Sequence, residues 1–376
     1  MPMLSYLTTT HFDFGAIQVL GPELTRLGVK RPLFVTDLGV RAAGLLDRVQ
    51  AAMPGGAGLP VFDGTPGNPT EAATLAALAQ YRAEGCDGVV CLGGGSSMDL
   101  GKTVALLAVS GEPMLRYDPL KGGGKFITGV SPVVCIPTTA GTGSEVSVGV
   151  VIITEAGQKL TLANPQLIPK VAICDPELTL GLPPLLTAAT GMDAITHCIE
   201  AFLAPTVNPP AEGVALDGLY RGWRAIEAAV AHGGTDRDAR WQMMMASTEG
   251  AMAFIKGLGA VHSMSHAIGR RADLRAHHGT LNAVILPTVL RFNEPACADK
   301  YVRLRLAMGL DAGADLAAAV AARNAAIGLP AGLAAMGVTA AMIPDLVPYA
   351  MSDLAHFGNP RKPGAQDYAA LFEQAL

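Results

Sequence analysis

Side chains that could bind a metal ion recur at a spacing of four residues in the second half of the chain. Asp193 and His197 form one such pair, and His262 and His266 form another. On an α-helix, residues four apart share one face and lie about 5–6 Å from each other. Each pair could therefore direct two donor atoms at a single ion.

A histidine doublet, His277-His278, follows after a short basic segment, so five of the eight histidines stand in or beside one cluster. Imidazoles combined with one carboxylate suit Fe²⁺ or Zn²⁺ and leave the ion with net positive charge, able to polarise an oxygen atom. An acid and a histidine on one helix face are also a common surface pair, and buried histidines often serve packing alone. The spacing leaves both interpretations open.

The composition limits the class of protein. At 376 residues the chain is long enough for two domains, half of its residues are apolar and 16% are charged. A net charge of −5 gives no basic surface for nucleic acid or for an anionic membrane. We therefore expect neither a nucleic-acid partner nor a membrane partner.

The amino terminus and the cysteines indicate the compartment. The first residues have neither a basic segment nor an apolar signal core, and no run reaches about 18 apolar residues. We expect a cytoplasmic protein. The cysteines are scattered, several of them within apolar runs, which is typical of buried thiols in a reducing compartment and not of bridges or a zinc site. They are Cys86, Cys91, Cys135, Cys174, Cys198 and Cys297.

A buried strand followed by a glycine-rich turn stands in the first half. Residues 87–92 are nearly continuous in apolar side chains, as expected of a strand covered on both faces of a parallel sheet. The segment Gly93-Gly-Gly-Ser-Ser-Met-Asp99 leads from it into a predicted helix. Such a turn exposes backbone N–H groups that can bind a pyrophosphate. The triplet differs from GxGxxG and lacks the P-loop lysine, so alone it is a weak signal.

An acid stands at the end of an earlier predicted strand, residues 31–37. In nucleotide-binding α/β sheets an acid at this place accepts a hydrogen bond from the adenosine ribose 2′-OH and repels a 2′-phosphate. Aspartate is also a common turn residue, so a purely structural role for Asp37 remains open.

A second buried strand, residues 131–137, precedes the segment Thr138-Thr-Ala-Gly-Thr-Gly-Ser144. This segment could line a nucleotide groove, or it could be a hydroxyl-rich connecting loop. Residues 148–153 and 160–162 then predict a hairpin, with Lys159 at the start of the return strand, and residues 171–175 predict the last strand.

The periodicity divides the chain into two halves. Helices are predicted over 15–30, 39–53 and 70–84 between the strands, and from about residue 181 the pattern is helical only, over 184–204, 210–231, 236–257, 259–270, 279–292, 298–308 and 313–327. We predict an α/β domain with a parallel, Rossmann-like sheet over residues 1–180 and an all-α domain over residues 181–376. Because the glycine turns fall in the first and the metal-donor candidates in the second, we expect a cofactor cleft between domains.

Taken together, five motifs closely resemble those of the iron-containing (group III) alcohol dehydrogenase family. They are Gly93-Gly-Gly-Ser-Ser-Met-Asp99, Pro137-Thr-Thr-Ala-Gly-Thr-Gly-Ser-Glu145, Asp175-Pro-Glu-Leu-Thr179, Thr187-Ala-Ala-Thr-Gly-Met-Asp-Ala-Ile-Thr-His197 and Gly259-Ala-Val-His-Ser-Met-Ser-His266. The match runs from Phe14-Gly15 to Asn359-Pro-Arg361. The resemblance implies a dehydroquinate synthase-like fold, with an NAD-binding α/β domain and a helical metal domain, in a homodimer or larger homo-oligomer.

The resemblance also implies site residues. The metal ligands correspond to Asp193, His197, His262 and His278, and His266 corresponds to a further histidine beside the nicotinamide. The cofactor contacts correspond to Asp37, Asn68, Gly94, Gly95, Ser96, Asp99, Thr138, Thr139, Thr142, Ser144, Lys159 and Leu178. Two departures affect the fourth ligand. His266-Ala-Ile-Gly269 replaces the usual His-Pro-Leu-Gly. The segment from His262 to His278 is slightly longer than is common in the family, and it ends in the doublet His277-His278.

The implied activity is hydride transfer between NAD(H) and a short primary alcohol or aldehyde, with a divalent metal, Fe²⁺ before Zn²⁺, as Lewis acid. His266 could relay the proton or simply form a hydrogen bond near the cofactor. A hydroxyacid-oxoacid transhydrogenase with bound NAD remains an alternative. A dehydroquinate synthase-type lyase is a weaker one, because more phosphate-binding lysines and arginines would be expected.

Among the branches of the family, the chain looks most like the 4-hydroxybutyrate dehydrogenases, in residues 174–183, 197–205, 208–210 and 277–283. We therefore expect 4-hydroxybutyrate and succinic semialdehyde as substrates, with a general short-chain alcohol dehydrogenase as the alternative. A buried substrate carboxylate needs a cationic partner, and Arg270, Arg271 and Arg275 are the candidates. Arginines in a connecting loop are otherwise usually solvated.

Overall fold

The computed structural model describes residues 8–271, 273–274 and 276–376. The chain clusters into two compact units. Among the described residues, one comprises residues 8–139 together with Gly143–Gly181, and the other comprises Leu182–Leu376 together with Ala140–Thr142. Whether residues 1–180 and 181–376 fold as separate domains stays a prediction.

The first unit is built on a parallel sheet, as predicted. Its strands, in the order of the chain, are β1 (Thr9–Phe12), β2 (Pro32–Val35), β3 (Val61–Phe62), β4 (Gly88–Gly93), β5 (Val133–Pro137), β6 (Gly149–Ile153), β7 (Lys159–Ala163) and β8 (Val171–Cys174). Six of them form one sheet in the order β1-β8-β5-β4-β2-β3, and every pair in it is parallel. Strands β6 and β7 form the predicted antiparallel hairpin. The sequence did not predict β1.

Apolar side chains fill both faces of this sheet. Strands β4 and β5 are buried at every residue, which explains why their sequences are continuous in apolar residues and do not alternate. The helices that cover them are α1 (Leu20–Leu27), α2 (Leu38–Ala42), α3 (Leu45–Ala51), α4 (Glu71–Ala83) and α5 (Gly95–Ser110). The single helix predicted over 39–53 is wrong. It is interrupted at Gly44, whose φ of 72° is left-handed and ends a regular helix.

The strand order reverses next to β2. From β2 the chain continues to β3 on one side, whereas from β4 it continues to β5 on the other side. In open parallel sheets, ligands bind outside the carboxyl ends of the strands at such a reversal. Asp37 follows β2, and Gly94 follows β4, so the predicted nucleotide residues stand at this point.

The second unit is helical. Its helices are α6 (Pro184–Leu203), α7 (Pro209–His232), α8 (Arg237–Ala253), α9 (Ala260–Gly269), α10 (His278–Asn293), α11 (Ala298–Met308), α12 (Leu316–Ala326), α13 (Ile343–Ser352) and α14 (Ala365–Ala375). Helix α6 packs against α7, α8 and α10, and every residue of α9 is buried. Polar side chains on these two helices therefore require partners. Within the described chain, no helix is both long and apolar enough to cross a bilayer.

Candidate active site

Three polar side chains project from one face of α6. Asp193, His197 and Glu200 are four and three residues apart, which at 3.6 residues per turn places them within a narrow stripe. All three are nearly inaccessible to solvent. Removing an acid or an imidazole from water is costly unless it is hydrogen-bonded or binds a cation, so the stripe indicates a site.

Helices α9 and α10 bring two more imidazoles to this stripe. Oδ1 of Asp193 lies 3.8 Å from Nε2 of His262, 3.8 Å from Nε2 of His278 and 3.9 Å from Nε2 of His197. The Nε2 atoms of His197 and His262 are 3.0 Å apart. The structure thus brings together the four residues that the sequence predicted as metal ligands. Three of them, Asp193, His262 and His278, present donor atoms that all lie within 4.8 Å of one another.

Hydrogen bonds on the far side of two rings determine which nitrogen faces the cluster. Nδ1 of His262 lies 2.6 Å from the Glu200 carboxylate, and Nδ1 of His197 lies 3.2 Å from the backbone carbonyl of Gly141. Both acceptors require a proton on Nδ1, so in the neutral rings each Nε2 carries a lone pair. Two lone pairs that face each other across 3.0 Å repel unless a positive group lies near both. The donor set therefore fits a divalent cation.

The charge states of the rings follow from their surroundings. Burial lowers the pKa of His197 to about 4, so this ring is neutral at pH 7, as a metal ligand must be. Burial also disfavours charge on His262, but the Glu200 carboxylate outweighs it and raises the pKa of this ring. A metal ion at His262 would consequently compete with a proton.

An amide that the sequence did not predict stands among the donors. Nδ2 of Asn282 lies 2.6 Å from Oδ1 of Asp193 and 3.1 Å from Nε2 of both His262 and His278. Asn282 is fully buried, and its Oδ1 has no hydrogen-bond partner among the described residues. A buried polar atom without a partner is uncommon in folded proteins.

His266, the predicted catalytic residue, lies beside the donors. Its ring stacks on His278 with centroids 5.2 Å apart and meets His262 edge-on at 5.9 Å. Nδ1 of His266 is 2.9 Å from Oδ2 of Asp353, a carboxylate from the distant end of α13. Asp353 therefore orients the ring and sets its tautomer.

The histidine doublet has two different environments. His278 begins α10 and joins the donor group. His277 precedes the helix, is exposed, and has Nδ1 3.5 Å from the Thr280 hydroxyl. The geometry favours His278 as the fourth donor.

The arginine candidates for a substrate carboxylate are also in different environments. Arg270 bonds to Asp345 and lies over the ring of Tyr349, with Cζ 3.4 Å from the centroid. Arg271 pairs with Asp273 and, at 3.5 Å, with Asp345. Arg275 lies outside the described residues.

The predicted nucleotide residues of the first unit surround the carboxyl ends of β2, β4 and β5. Asp37 caps α2 by accepting from the Val40 N–H at 2.9 Å, and its other oxygen is 3.3 Å from the Ser97 hydroxyl. No side chain caps α5, whose preceding residue is Gly94. A Cβ on Gly94 would stand 3.3 Å from the Thr139 hydroxyl, so the two turns are in close approach. The uncapped N–H groups of α5 suit a pyrophosphate.

Other predicted cofactor contacts bond to the protein itself. Asp99 is buried and accepts from the Ser144 hydroxyl at 2.6 Å and from the Val151 N–H at 2.8 Å. The buried ammonium of Lys102 donates to the backbone carbonyls of Ser144, Ser147 and Gly149. These bonds fix the segment that carries Ser144.

The remaining predicted contacts vary in exposure. Ser96 donates to the Gly67 carbonyl at 2.7 Å, next to the half-buried Asn68. Leu178 is 2% exposed and belongs to the core under the sheet. Thr138 is buried, whereas Gly95, Thr139, Thr142 and Lys159 are half-buried.

Three side chains of the site were missed by the sequence analysis. Glu200 falls on the Asp193 stripe at i+7, and Asn282 follows His278 at the same spacing of four that marks the other pairs. Helical periodicity could have indicated both. Asp353 could not be found in this way, because it is 87 residues from His266.

Known protein families match nearly the whole chain. Residues 8–176 match the family described as iron-containing alcohol dehydrogenase, and residues 187–376 match the C-terminal part of the Fe-containing alcohol dehydrogenase family. The chain belongs to the iron-containing alcohol dehydrogenases. It is an oxidoreductase, and the resemblance inferred from its motifs is confirmed.

Individual alcohol dehydrogenases of this family are similar over their full length. 4-Hydroxybutyrate dehydrogenase of Cupriavidus necator is 53% identical, with 100% of both chains covered. NAD-dependent methanol dehydrogenase of Bacillus methanolicus is 34% identical, with 96% of both chains covered. The crystal structure of a 1,3-propanediol oxidoreductase superposes with a TM-score of 0.92, at 35% identity and 100% coverage of both chains.

Proposed function

We propose that this enzyme interconverts 4-hydroxybutyrate and succinic semialdehyde with NAD(H), using a divalent metal ion held by Asp193, His197, His262 and His278. The observation that carries the substrate is the 53% identity to 4-hydroxybutyrate dehydrogenase over the whole of both chains. The preference for NAD is supported by the Asp37 carboxylate at the end of β2 and by the similarity to an NAD-dependent methanol dehydrogenase.

In this proposal each polar residue near the donors has a task. A divalent ion at this centre would supply Lewis acidity towards the substrate hydroxyl, and bound NAD⁺ would supply the hydride acceptor. Glu200 and the Gly141 carbonyl hold the rings of His262 and His197 with the Nε2 lone pairs towards the ion. Asp353 holds His266 through Nδ1, which leaves Nε2 as the ring nitrogen that transfers the hydroxyl proton.

Arg270 is our candidate for the partner of the substrate carboxylate. It follows His266 by four residues at the end of α9, so it lies about one turn from that ring. Its Nε is buried and, among the described residues, has no hydrogen-bond partner. A guanidinium with an unused donor can bind a carboxylate, and such charged hydrogen bonds contribute about 1.5–3 kcal/mol each.

The test is a comparison of substrates. We expect kcat/KM for 4-hydroxybutyrate to exceed that for 1-butanol and 1,4-butanediol. Arg270→Met should lower kcat/KM for the acid by about 10- to 150-fold and leave 1-butanol nearly unchanged. Arg271→Met is the matched control, because it also removes one positive charge, and Arg271 is paired with Asp273. It should leave kcat/KM unchanged for both 4-hydroxybutyrate and 1-butanol.

Two outcomes would contradict different parts of the proposal. If the uncharged alcohols match or exceed the acid in wild-type kcat/KM, the substrate is wrong. If Arg270→Met lowers activity on the acid and on 1-butanol equally, Arg270 is not the carboxylate partner.

A general short-chain alcohol dehydrogenase is the second candidate function. It is supported by the TM-score of 0.92 with a 1,3-propanediol oxidoreductase, whose named substrate is an uncharged diol. The comparison of 4-hydroxybutyrate with 1-butanol and 1,4-butanediol separates the two candidate functions. Turnover of 4-hydroxybutyrate without added NAD⁺, in the presence of an oxoacid, would instead indicate a transhydrogenase.

We further propose a cytoplasmic homodimer or larger homo-oligomer. Light scattering on the purified protein tests the assembly, because a monomeric mass would contradict it. Cell fractionation tests the location.

A further inference from the structure

A second carboxylate follows the strand that lies beside β2. Asp63 is the residue directly after β3, and Asp37 stands two residues after β2. The two strands are parallel neighbours, and Asp37 and Gly64 form an isolated bridge just beyond their ends. Neighbouring strands are about 4.7–4.9 Å apart. Both acids therefore lie at the carboxyl edge of the sheet, on adjacent strands.

Arg41 links this edge to Asp63. It stands on α2, four residues after Asp37, and its backbone N–H donates to the Asp37 carbonyl at 3.1 Å. Its Nη1 donates to Oδ2 of Asp63. Because residues four apart on a helix are about 5–6 Å from each other, the long side chain of Arg41 could also approach a group bound at Asp37. In this structure it is held at Asp63 instead.

The charges at this edge disfavour a phosphate. Asp37 and Asp63 carry two negative charges and Arg41 carries one positive charge, so their net charge is −1. A 2′-phosphate on the adenosine ribose would add about −1.5 to −2 at pH 7, whereas a 2′-OH is neutral and can donate to Asp37. Nucleotide-binding sheets accommodate a 2′-phosphate with an arginine, whose planar fork matches the phosphate oxygens. Asp63 thus engages a guanidinium that would otherwise suit NADP.

We propose that Asp63 is a second determinant of the preference for NAD over NADP, and that it acts through Arg41. Asp37 accepts from the ribose hydroxyl, and Asp63 holds the Arg41 guanidinium away from the position of a 2′-phosphate. This inference rests on the proposed use of NAD with Asp37 at the adenosine ribose. Asp63 is a positioning residue, because its effect on the cofactor passes through Arg41.

The ion pair has little to do for the fold itself. The Arg41 side chain is 60% exposed and that of Asp63 is 31% exposed, and ion pairs in contact with water contribute little to stability. Strands β2 and β3 are joined by backbone bonds, such as the one from the Thr36 N–H to the Phe62 carbonyl at 2.9 Å. Asp37→Gly removes the cap of α2, but glycine is itself favoured at this position. Variants at these three positions should therefore fold.

The experiment measures cofactor binding without turnover. Isothermal titration calorimetry of the full-length protein gives the dissociation constants of NADH and NADPH, and their ratio is the readout. In the Asp37→Gly background, Asp63→Asn should tighten NADPH binding by about tenfold and leave NADH binding within about twofold. The gain should shrink at high salt, because ions screen the attraction between an exposed guanidinium and a phosphate. Damage to the fold would weaken both cofactors alike.

Further variants identify the cause of the gain. Arg41→Met, added to the double variant, should abolish it, whereas Arg41→Lys keeps a positive charge and should retain part of it. Glu84→Gln is the matched control, because Glu84 forms another exposed ion pair, with Arg31 at 2.6 Å. Arg31 precedes β2 and therefore lies at the opposite edge of the sheet. In the Asp37→Gly background, Glu84→Gln should change neither dissociation constant.

The outcomes separate this inference from the proposal on which it rests. If the wild type binds NADH and NADPH equally, the NAD preference is wrong, and the inference falls with it. If the wild type prefers NADH but Asp63→Asn changes NADPH binding no more than Glu84→Gln does, Asp63 is not a determinant. If the gain survives Arg41→Met, Asp63 acts by its own charge, and the role assigned to Arg41 is refuted.

Discussion

Replacing Glu200 by glutamine tests whether the hydrogen bond behind His262, a proposed metal ligand, controls metal affinity. The Glu200 carboxylate accepts from Nδ1 of His262 at 2.6 Å and from the Val261 N–H at 2.8 Å, in a nearly water-free environment. Glutamine has almost the same shape but offers one acceptor and one donor. Its NH₂ group must therefore face either the Val261 N–H or the His262 ring.

The size of the effect follows from these two contacts. A hydrogen bond to a charged group contributes about 1.5–3 kcal/mol, and a buried donor left without a partner costs about 1–3 kcal/mol. If the NH₂ faces His262, the proton moves to Nε2 and the ring no longer has an inward lone pair. Changes of this kind behind a ligand typically lower metal affinity by about 10- to 100-fold. We expect a loss in this range, equal to about 1.4–2.7 kcal/mol.

Competition of Zn²⁺ between the protein and a coloured chelator at pH 7.5 measures the change. Glu212→Gln is the matched control, because Glu212 bonds to Lys256 and Lys300 and touches no donor of the centre. It should bind Zn²⁺ as the wild type does. Equal affinities for Glu200→Gln and wild type, with both proteins folded by circular dichroism, would refute the reasoning.

Three further predictions concern other parts of the molecule. Asp37→Gly should reduce the preference for NAD⁺ over NADP⁺ by about tenfold, measured as the ratio of kcat/KM, and equal use of both cofactors by the wild type would show that the carboxylate is not the discriminator. His278→Ala should lose about 100-fold or more in metal affinity and His277→Ala should lose little, whereas the reverse order would move the fourth ligand by one residue. Burial, together with Asp217, raises the pKa of Glu249 from 4.5 to about 8. Between these pH values the folded state holds a proton that the unfolded chain has lost, so stability falls as the pH rises. In the wild type this group lowers the free energy of unfolding by up to about 1.4 kcal/mol per pH unit, and Glu249→Gln should abolish that contribution. The urea midpoint of the variant should therefore fall less than that of the wild type between pH 5 and pH 7.5. A parallel drop in both proteins would contradict it.

The parts of the site that could be predicted from sequence are those encoded locally. Asp193 and His197 share a helix face because of their spacing, and the glycine turn after β4 follows a strand that is apolar throughout. Strand β1 was missed because Thr9–Phe12 is short and polar, and it becomes a strand only by pairing with β8.

Other contacts depend on packing that no local pattern encodes. The approach of Asn282 to Asp193 joins residues 89 positions apart on two different helices. The same is true of Asp353 and His266. Sequence spacing and the family resemblance therefore predicted the candidate ligands but not the groups that orient them.

The segment Ala140–Thr142 has a consequence for how such a protein can be recombined. It comes from the first half of the sequence but clusters with the helical unit, where the Gly141 carbonyl accepts a hydrogen bond from Nδ1 of His197. A Cβ on Gly141 would stand 2.8 Å from a side-chain carbon of Thr190, so the fit is tight. A hybrid that exchanged everything after residue 181 with a relative would keep its own turn against a foreign α6. Hybrids that take the segment Ala140–Thr142 and helix α6 from the same parent should be active more often than hybrids joined at residue 181.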